Sequence, residues 1–163
     1  LRLRLEPVRL RALLEREVAV AAERNEQSRF ELDADEEIEV EGDPDRLAMS
    51  IAALLQNAVR YPGTSVRVTL ERRGEVAVLR VRDDGPGIPA DRLPHVFEPL
   101  FEPWPPGSPW YSGVIGLGLH LAHAVMRAHG GTLEVESEEG RGSTFTAVLP
   151  LRSEPDGAAA APA

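Results

Sequence analysis

The stretch VRDDGPGIPADRLPHVFEPLFEPWPPGSPW (Val81–Trp110) joins the end of a β-strand to a long irregular loop rich in proline and aromatic residues. The strand-forming residues stop at Asp83 and Asp84, so the Asp83 carboxylate points into whatever crevice opens at the strand end. Gly85 and Gly87 follow, and glycine lets a flat ring lie close to the backbone. Because a carboxylate accepts hydrogen bonds, the stretch suggests a pocket for an exocyclic amine such as that of adenine. A simple acidic turn is the alternative.

The composition limits the classes of function. The chain has 163 residues, long enough for one domain with a core, and 42% of them are hydrophobic. It contains no cysteine, which excludes disulfides and thiolate metal sites, and no lysine, which excludes the P-loop phosphate site. The net charge of −9 disfavours a nucleic-acid partner. No window is apolar over the length of a membrane span, so we expect a cytoplasmic piece of a longer protein that does not itself insert into a membrane. Whether the parent protein has a membrane anchor stays open from the sequence.

Hydrophobic periodicity predicts an α/β fold, a two-layer sandwich of a mixed, mostly antiparallel sheet against about three helices. The helices are expected over about residues 8–24, from Pro44 to before Pro62, and from the glycines near residue 116 to Gly130. Asp43 is the expected N-cap of the second helix, with Pro44 as its first residue.

Strands are expected at the N-terminus, in two short segments around an acidic turn within SRFELDADEEIEVEG, and in two hairpins. The first hairpin turns near Arg73 and Gly74, and the second is TLEVESEEGRGSTFTAVLP. A short helix is expected after Pro89. The domain is expected to span residues 1–152, and the tail 153–163 lacks periodicity and is expected to be disordered. The arginines that alternate outward in the first hairpin are expected to form a solvated sheet face: Arg67, Arg80 and Arg82.

Three further motifs carry groups suited to a nucleotide. Gly116 and Gly118 stand at the start of a helix, where free amides and the helix dipole favour an anion. Asn57 lies late in the second helix, and its amide oxygen is a hard ligand suited to Mg²⁺. GRGSTF (Gly140–Phe145) is a glycine turn that runs into a strand. Each has a structural alternative: close helix packing for the glycines, an exposed polar edge for Asn57, and a plain hairpin loop for GRGSTF.

The order of the motifs is much more specific than any one of them. A helix carrying LLQNAVRY precedes VRDDGPGIP, and VFEPLF, GLGLHLAHAVMRAHGGTLEVES and GRGSTFTAVLP follow. In this order they resemble the ATP-binding catalytic domain of sensor histidine kinases, within the wider GHKL family shared with gyrase, a heat-shock chaperone and the mismatch-repair ATPases. The resemblance covers about residues 5–150. It implies the Bergerat fold, in which ATP lies between two helices, the sheet and a mobile lid.

The resemblance also implies roles for individual residues. Asp83 would bind the adenine amino group, with support from the hydroxyl of Thr144. Asn57 would hold Mg²⁺ against the phosphates, and Asn57 and Arg60 would be the catalytic residues. The other residues expected to contact ATP belong to the base pocket, the ribose and phosphate region, and the lid: Gly85, Gly87, Ile88, Tyr61, Phe97, Gly116, Leu117, Gly118 and Leu119.

The implied activity is transfer of the γ-phosphoryl group of ATP to a histidine on a separate dimerisation domain, with a response regulator downstream. The expected cofactors are ATP and Mg²⁺. None of the four histidines, His95, His120, His123 and His129, stands in the sequence context of the acceptor. We therefore expect the isolated chain to be inactive without its histidine domain.

The lid comprises FEPWPPGSPWYSGVIG, residues 101–116, and begins at the end of a phenylalanine box formed by Phe97 and Phe101. Two features depart from the family pattern. Ala53 stands where the family usually carries an earlier asparagine, and the lid contains no basic residue to meet a phosphate. Both predict weak ATP binding, or a lid that reaches phosphate only with a partner. The aromatic lid residues are expected either to contact a partner or to fold back onto the cleft: Trp104, Trp110 and Tyr111.

Two other functions remain open from the sequence. One is a degenerate relative that binds nucleotide weakly and acts as a regulatory or docking module, as Ala53 and the uncharged lid suggest. The other is a serine kinase of the anti-sigma-factor type, which shares the fold and needs no helical partner.

Overall fold

The computed structural model describes residues 1–34, 36–113 and 116–153, and within them seven strands and three α-helices alternate along the chain. We number them β1–β7 and α1–α3 in chain order, and a 3₁₀ turn lies between β5 and α3. Their bounds are β1 Glu6–Arg9, α1 Leu10–Arg24, β2 Arg29–Ala34, β3 Glu39–Gly42, α2 Pro44–Ala58, β4 Ser65–Arg73, β5 Val76–Asp83, the 3₁₀ turn Leu93–His95, α3 Gly118–Ala128, β6 Thr132–Glu138 and β7 Gly142–Pro150.

The main sheet has the strand order β2-β4-β5-β7-β6. Strands β2 and β4 are parallel, and the other neighbours are antiparallel. Strands β1 and β3 form a separate antiparallel pair. The helices pack on the sheet as the second layer, with α2 against both α1 and α3. The predicted two-layer α/β sandwich with a mixed, mostly antiparallel sheet is confirmed.

The core lies between the helices and one face of the sheet. Alternate residues of β4 and β5 point inward, and the apolar stripe of α2 covers them, so each buried side chain contributes roughly 1.5–3 kcal/mol through loss of water contact. On the other face, Arg67 and Arg82 are exposed and Arg80 donates to Glu71 at 2.9 Å, which confirms the solvated arginine face. The buried residues that form this contact include Val66, Val68, Leu70, Ala77, Leu79, Val81, Leu47, Ile51, Leu54 and Leu55.

Helix α2 begins as predicted. The Asp43 carboxylate accepts a hydrogen bond from the Arg46 amide at 3.1 Å, and Pro44 is the first helical residue. The other Asp43 oxygen accepts from the Arg4 amide at 2.9 Å, and the Asp43 amide donates to His129 Nε2 at 3.0 Å. The start of α2 is therefore tied to the end of α3, so the two helices that flank the cleft described below are fixed relative to one another.

Some predicted elements differ from the structure. The first strand lies at Glu6–Arg9 instead of ending at Pro7, and proline is tolerated because β1 belongs to a two-stranded edge pair. The two strands around the acidic turn are correct, but they pair with β4 and β1 and not with each other. The helix expected after Pro89 is only a 3₁₀ turn. The predicted disordered tail lies outside the described residues from 154 onward, and the boundary at residue 152 stays a prediction.

Candidate functional site

Asp83 is the last residue of the central strand β5, and its carboxylate is buried with 8% of the residue exposed. Burial raises the pKa of Asp83 to about 6, because the charged form loses water. Hydrogen bonds from the Gly85 amide, at 2.9 Å, and from the Ser143 backbone oppose this rise. A buried carboxylate with remaining acceptor capacity is suited to a ligand that donates hydrogen bonds.

The glycines around Asp83 permit close backbone contacts. Gly87 has a φ of +73°, and a Cβ there would collide with the carbonyl oxygen of Glu138. Gly142 has a φ of +86°, and a Cβ there would collide with the carbonyl oxygen of Asp83. Because an L side chain is excluded by both its own conformation and its neighbour, only glycine fits at these two positions. Ile88 is buried beside them, and its amide donates to Ser137 Oγ at 2.9 Å.

Asn57 and Asp83 line the same cleft. Asn57 lies in the last turn of α2, and together with Arg60, Tyr61, Asp83 and further residues it lines a cavity of about 30 Å³. The helix layer and the sheet layer therefore both present polar side chains to a single space. The remaining lining residues of this cavity are Pro86, Gly87, Ile88, Phe101, Pro103 and Ser143.

A second cavity, of about 170 Å³, continues from Asn57 and Arg60 toward the start of α3. Gly118 opens α3, and a Cβ at this glycine would lie 3.3 Å from the Cβ of Ala53, so the two helices approach closely here. The cavity combines the start of a helix with a guanidinium group, which is an arrangement that favours an anion. Its lining residues are Ala53, Gln56, Asn57, Arg60, Phe101, Gly116, Gly118 and Leu119.

Comparison with known proteins agrees with this geometry. A profile of the family described as "Histidine kinase-, DNA gyrase B-, and HSP90-like ATPase" matches residues 42–153.

The chain belongs to this ATPase family. The match includes α2, the Asp83 loop, α3 and the final hairpin, so it contains every residue that lines the two cavities. The predicted family and fold, those of a histidine kinase ATP-binding domain, are confirmed.

Several relatives in the ATPase family are sensor kinases. The chain is 39% identical over 124 residues to the sensor histidine kinase ZraS of Escherichia coli K12, covering 73% of this chain and 25% of ZraS. It is 39% identical over 130 residues to the histidine-protein kinase AfsQ2 of Streptomyces coelicolor, covering 77% of this chain and 23% of AfsQ2. The chain thus spans about a quarter of the length of these curated relatives.

Solved structures of the ATPase family share the fold. A mycobacterial sensor histidine kinase, MprB, superposes with a TM-score of 0.79 at 30% identity, covering 93% of this chain and all of that chain. The ATP-binding domain of PrrB from Mycobacterium tuberculosis gives a TM-score of 0.74 at 24% identity, covering 91% of this chain and 98% of that chain, and supports the fold alone.

Three residues assigned to ATP from the resemblance to this ATPase family are not among the residues that line these two cavities. Thr144 is opposite Arg82 and Glu136 on the outer sheet face, because only alternate residues of β7 point inward. Leu117 is 44% exposed and lines neither cavity. Phe97 stacks on His123 with ring centroids 4.5 Å apart, so it packs the phenylalanine box against α3.

Ser143 is the residue that the sequence reasoning missed. It is 7% exposed, lines the Asp83 cavity, and has its hydroxyl 2.8 Å from that of Ser137. The signal was present in the alternation of GRGSTF: Ser143 is two residues before Phe145, which is 1% exposed, so both belong to the inner face. Ser143, and not Thr144, supplies the hydroxyl beside Asp83.

The described part of the lid folds back onto the cleft. The Tyr61 hydroxyl donates to the Trp110 carbonyl at 2.8 Å, and the two rings meet edge to face at 5.5 Å. Burial raises the pKa of Tyr61. Trp104 and Trp110 both line a groove of about 480 Å³ next to Gly85. Of the two orientations that the sequence left open, Trp104 takes the one toward the cleft. Trp110 contacts Tyr61 but is 41% exposed, and Tyr111 is 46% exposed.

Few groups of the cleft could hold a cation. Within residues 1–34, 36–113 and 116–153, no cluster of three or more histidine or acidic side chains is arranged to bind a metal ion. In the same residues, no helix is long and apolar enough to cross a membrane. Asn57 lines both cavities and Gln56 lines the larger one, so each could offer a neutral oxygen. Mg²⁺ keeps several waters and takes only one or two protein ligands when it bridges phosphates, so Asn57 fits such a role.

Proposed function

We propose that the chain is the ATP-binding catalytic domain of a two-component sensor histidine kinase, which binds ATP with Mg²⁺ and transfers its γ-phosphoryl group to a histidine of a separate dimerisation domain. One observation carries the proposal: Asp83 from the sheet and Asn57 from α2 line one cleft, which continues to Arg60 and the start of α3. A response regulator would then receive the phosphoryl group.

Asp83 would recognise the base. Its ionised carboxylate would accept a hydrogen bond from the amino group of adenine while the Gly85 amide holds it in place. The hydrogen bond would be strengthened by the low dielectric of the buried position. The absence of a Cβ at Gly87 and Gly142 keeps the loop and the strand close together, which gives the pocket a flat wall.

Arg60 and the amides at the start of α3 would hold the phosphates. Asn57 would hold Mg²⁺, which when bound neutralises phosphate charge. A ring nitrogen of the histidine on the separate domain would attack the γ-phosphorus, and the bond from phosphorus to the β–γ bridging oxygen would break. ADP would leave with the electron pair, and the imidazole would release its remaining N–H proton to solvent. The chain's own contribution is positioning and charge neutralisation, since it supplies no covalent nucleophile.

Nucleotide binding to a conservative pair of variants tests this proposal. Asp83→Asn should weaken ATP binding by roughly a hundredfold, because the amide cannot replace a buried charged acceptor. Asp84→Asn is the matched control, since Asp84 is exposed and its Oδ1 accepts from the Ser65 amide at 2.7 Å. Equal affinities for the wild type and Asp83→Asn would contradict the assignment. Phosphotransfer to a supplied histidine domain then tests the kinase activity.

Ala53 and the uncharged lid favour a second candidate, a weakly binding regulatory module. Ala53 offers no oxygen to the cation end of the cleft and packs near Gly118. If the second candidate holds, ATP binding to the wild type is weak and independent of Mg²⁺, and Ala53→Asn restores Mg²⁺ dependence. Tight, Mg²⁺-dependent binding by the wild type would exclude this candidate.

A further inference from the structure

Arg60 already has an anionic partner in the structure. Its Nη1 lies 3.6 Å from Oε1 of Glu102, a residue of the lid. The two side chains are only 13% and 18% exposed, so the pair is partly shielded from water. An ion pair at this degree of burial is screened less than one at the surface. Arg60 is the guanidinium group of the phosphate end of the cleft, so a carboxylate lies where a phosphate would otherwise pair.

Glu102 is held in place by the lid itself. Its Oε2 accepts from Ser112 Oγ at 3.0 Å, and its Oε1 accepts from the Trp104 amide at 3.3 Å. Its backbone carbonyl accepts from Arg92 Nη1 at 3.0 Å. Two hydrogen bonds therefore fix the carboxylate and a third fixes the backbone of Glu102, which distinguishes it from a mobile surface glutamate that meets an arginine by chance.

The residues on either side of Glu102 fill the cleft. Phe101 is 9% exposed and lines both the 30 Å³ and the 170 Å³ cavities, and Pro103 lines the smaller one. A cavity of 30 Å³ has room for about one water molecule, far less than the ~300 Å³ or more of a usual ligand site. Phe101 and Pro103 thus narrow the pocket beside Asp83, and they place Glu102 between them next to Arg60.

This segment is also under backbone strain at its start. Leu100, immediately before the lid, has a φ of +63° and is the one non-glycine residue with positive φ in the described part of the chain. Its amide donates to the Gly116 carbonyl at 2.8 Å, and Gly116 lies against the Phe101 backbone so closely that a Cβ would collide with it. Strain of this kind persists only when the surroundings enforce it, and movement of the lid would release it.

We propose that Glu102 is an internal competitor of nucleotide: it occupies the anion position at Arg60 in the resting domain, and the phosphates of ATP must displace it to bind. The inference rests on the proposed function, because it assigns the same site to phosphate. Glu102 would then be the lid residue that sets the affinity of the domain for nucleotide. The competitor opposes phosphates and not the base, so it weakens the binding of ATP and ADP and leaves the binding of adenosine unchanged.

The test compares Glu102→Gln with Glu98→Gln. Glu98 carries the same charge four residues earlier, but its side chain is 63% exposed and pairs with His95. We expect Glu102→Gln to bind ATP and ADP roughly tenfold more tightly, since a neutral amide loses the ion pair with Arg60. The affinity of Glu102→Gln for adenosine should equal that of the wild type. Glu98→Gln should bind all three ligands as the wild type does. The two tryptophans, Trp104 and Trp110, both belong to the lid, so their fluorescence reports lid displacement on titration with inorganic tripolyphosphate as well.

The outcomes separate the two proposals. If the wild type binds ATP through Asp83 and Glu102→Gln changes nothing, the competitor is overturned while the proposed function stands. If Glu102→Gln tightens adenosine as much as ATP, the side chain only stabilises the closed lid, and the proposal of an anion competitor is overturned. If neither protein binds any nucleotide, both proposals fail. A gain for ATP that disappears when Arg60→Ala is added supports the pairing.

Discussion

Asp83 and Ser143 are direct cross-strand partners on β5 and β7, and both side chains lie on the buried face of the sheet. The register of a single strand pair therefore fixes the carboxylate and the hydroxyl of the candidate base pocket. A slip of one residue would turn both side chains outward, because the period of side chains along a strand is two. Gly142 locks this register, since only glycine permits the contact with the Asp83 carbonyl.

We expect Asp83→Asn to stabilise the domain at neutral pH while it weakens nucleotide binding. The folded-state pKa of about 6 lies above the ordinary aspartate value of 3.8, so the stability of the wild type falls as pH rises from about 4 through 6. At pH 7 the charged carboxylate costs up to about 3 kcal/mol, which the neutral amide avoids. Denaturant unfolding at pH 7 and pH 4 measures this gain, which should nearly vanish at pH 4. A loss of stability at pH 7 would contradict the burial cost.

Base binding should also depend on pH through Asp83. Below pH 6 the carboxyl becomes protonated and loses an acceptor, so adenosine affinity should fall roughly tenfold from pH 7 to pH 5. Adenosine is the ligand of choice because it has no phosphate group that titrates near the same pH. The Asp83→Asn variant provides the control, and its weaker affinity should stay constant over this range. A wild-type affinity that is flat in pH would place the carboxylate outside the base contact.

The positions of Ser143 and Thr144 give a paired mutational test. Ser143→Ala should weaken adenosine binding by roughly three- to tenfold, because it removes a buried hydroxyl beside Asp83. Thr144→Ala should leave binding unchanged, since its side chain is on the outer face. Calorimetric titration of both variants measures the difference. The reverse ranking would mean that the hydroxyl implied by the family resemblance is Thr144 after all.

A comparison of Gly142 with Gly140 separates the cost of a positive φ from the cost of a close contact. Both have positive φ, +86° and +84°, but a Cβ at Gly140 meets open space whereas one at Gly142 meets the backbone of Asp83 and Asp84. Gly140→Ala should cost about 1 kcal/mol of stability and Gly142→Ala about 3 kcal/mol or more. Urea unfolding of the two variants checks the difference. Equal losses would show that the loop relaxes without penalty.

The sequence was sufficient for most of the fold because its local signals agree with its packing. The N-cap Asp43, the apolar stripe of α2 and the glycines at strand ends each act within a few residues, so they can be identified from the chain alone. The pairing of β2 with β4 and of β3 with β1 could not be predicted in this way. It depends on contacts between residues distant in the chain, and short charged strands such as Arg29–Ala34 give little register information.

The polar residues of the cleft could be predicted from the sequence, but the shape of the cleft could not. Asp83 and Asn57 are identified by motif order, whereas the insertion of Phe101 and Pro103 depends on how a proline-rich loop folds over a surface. Thr144 was chosen where alternation from the buried Phe145 would have favoured Ser143. Phe97 was assigned to ATP from the resemblance, and its aromatic partner His123 comes from a helix that no local pattern connects with it.

The order of the main sheet leaves β2 and β6 as its two outer strands. Every second residue of β2 is charged in Arg29, Glu31 and Asp33, and β6 carries Glu134, Glu136 and Glu138 in the same alternation. Charges on outer strands oppose the addition of a further strand from another molecule, which is the usual route to edge-to-edge aggregation. The sheet is thereby protected against self-association at both of its outer strands.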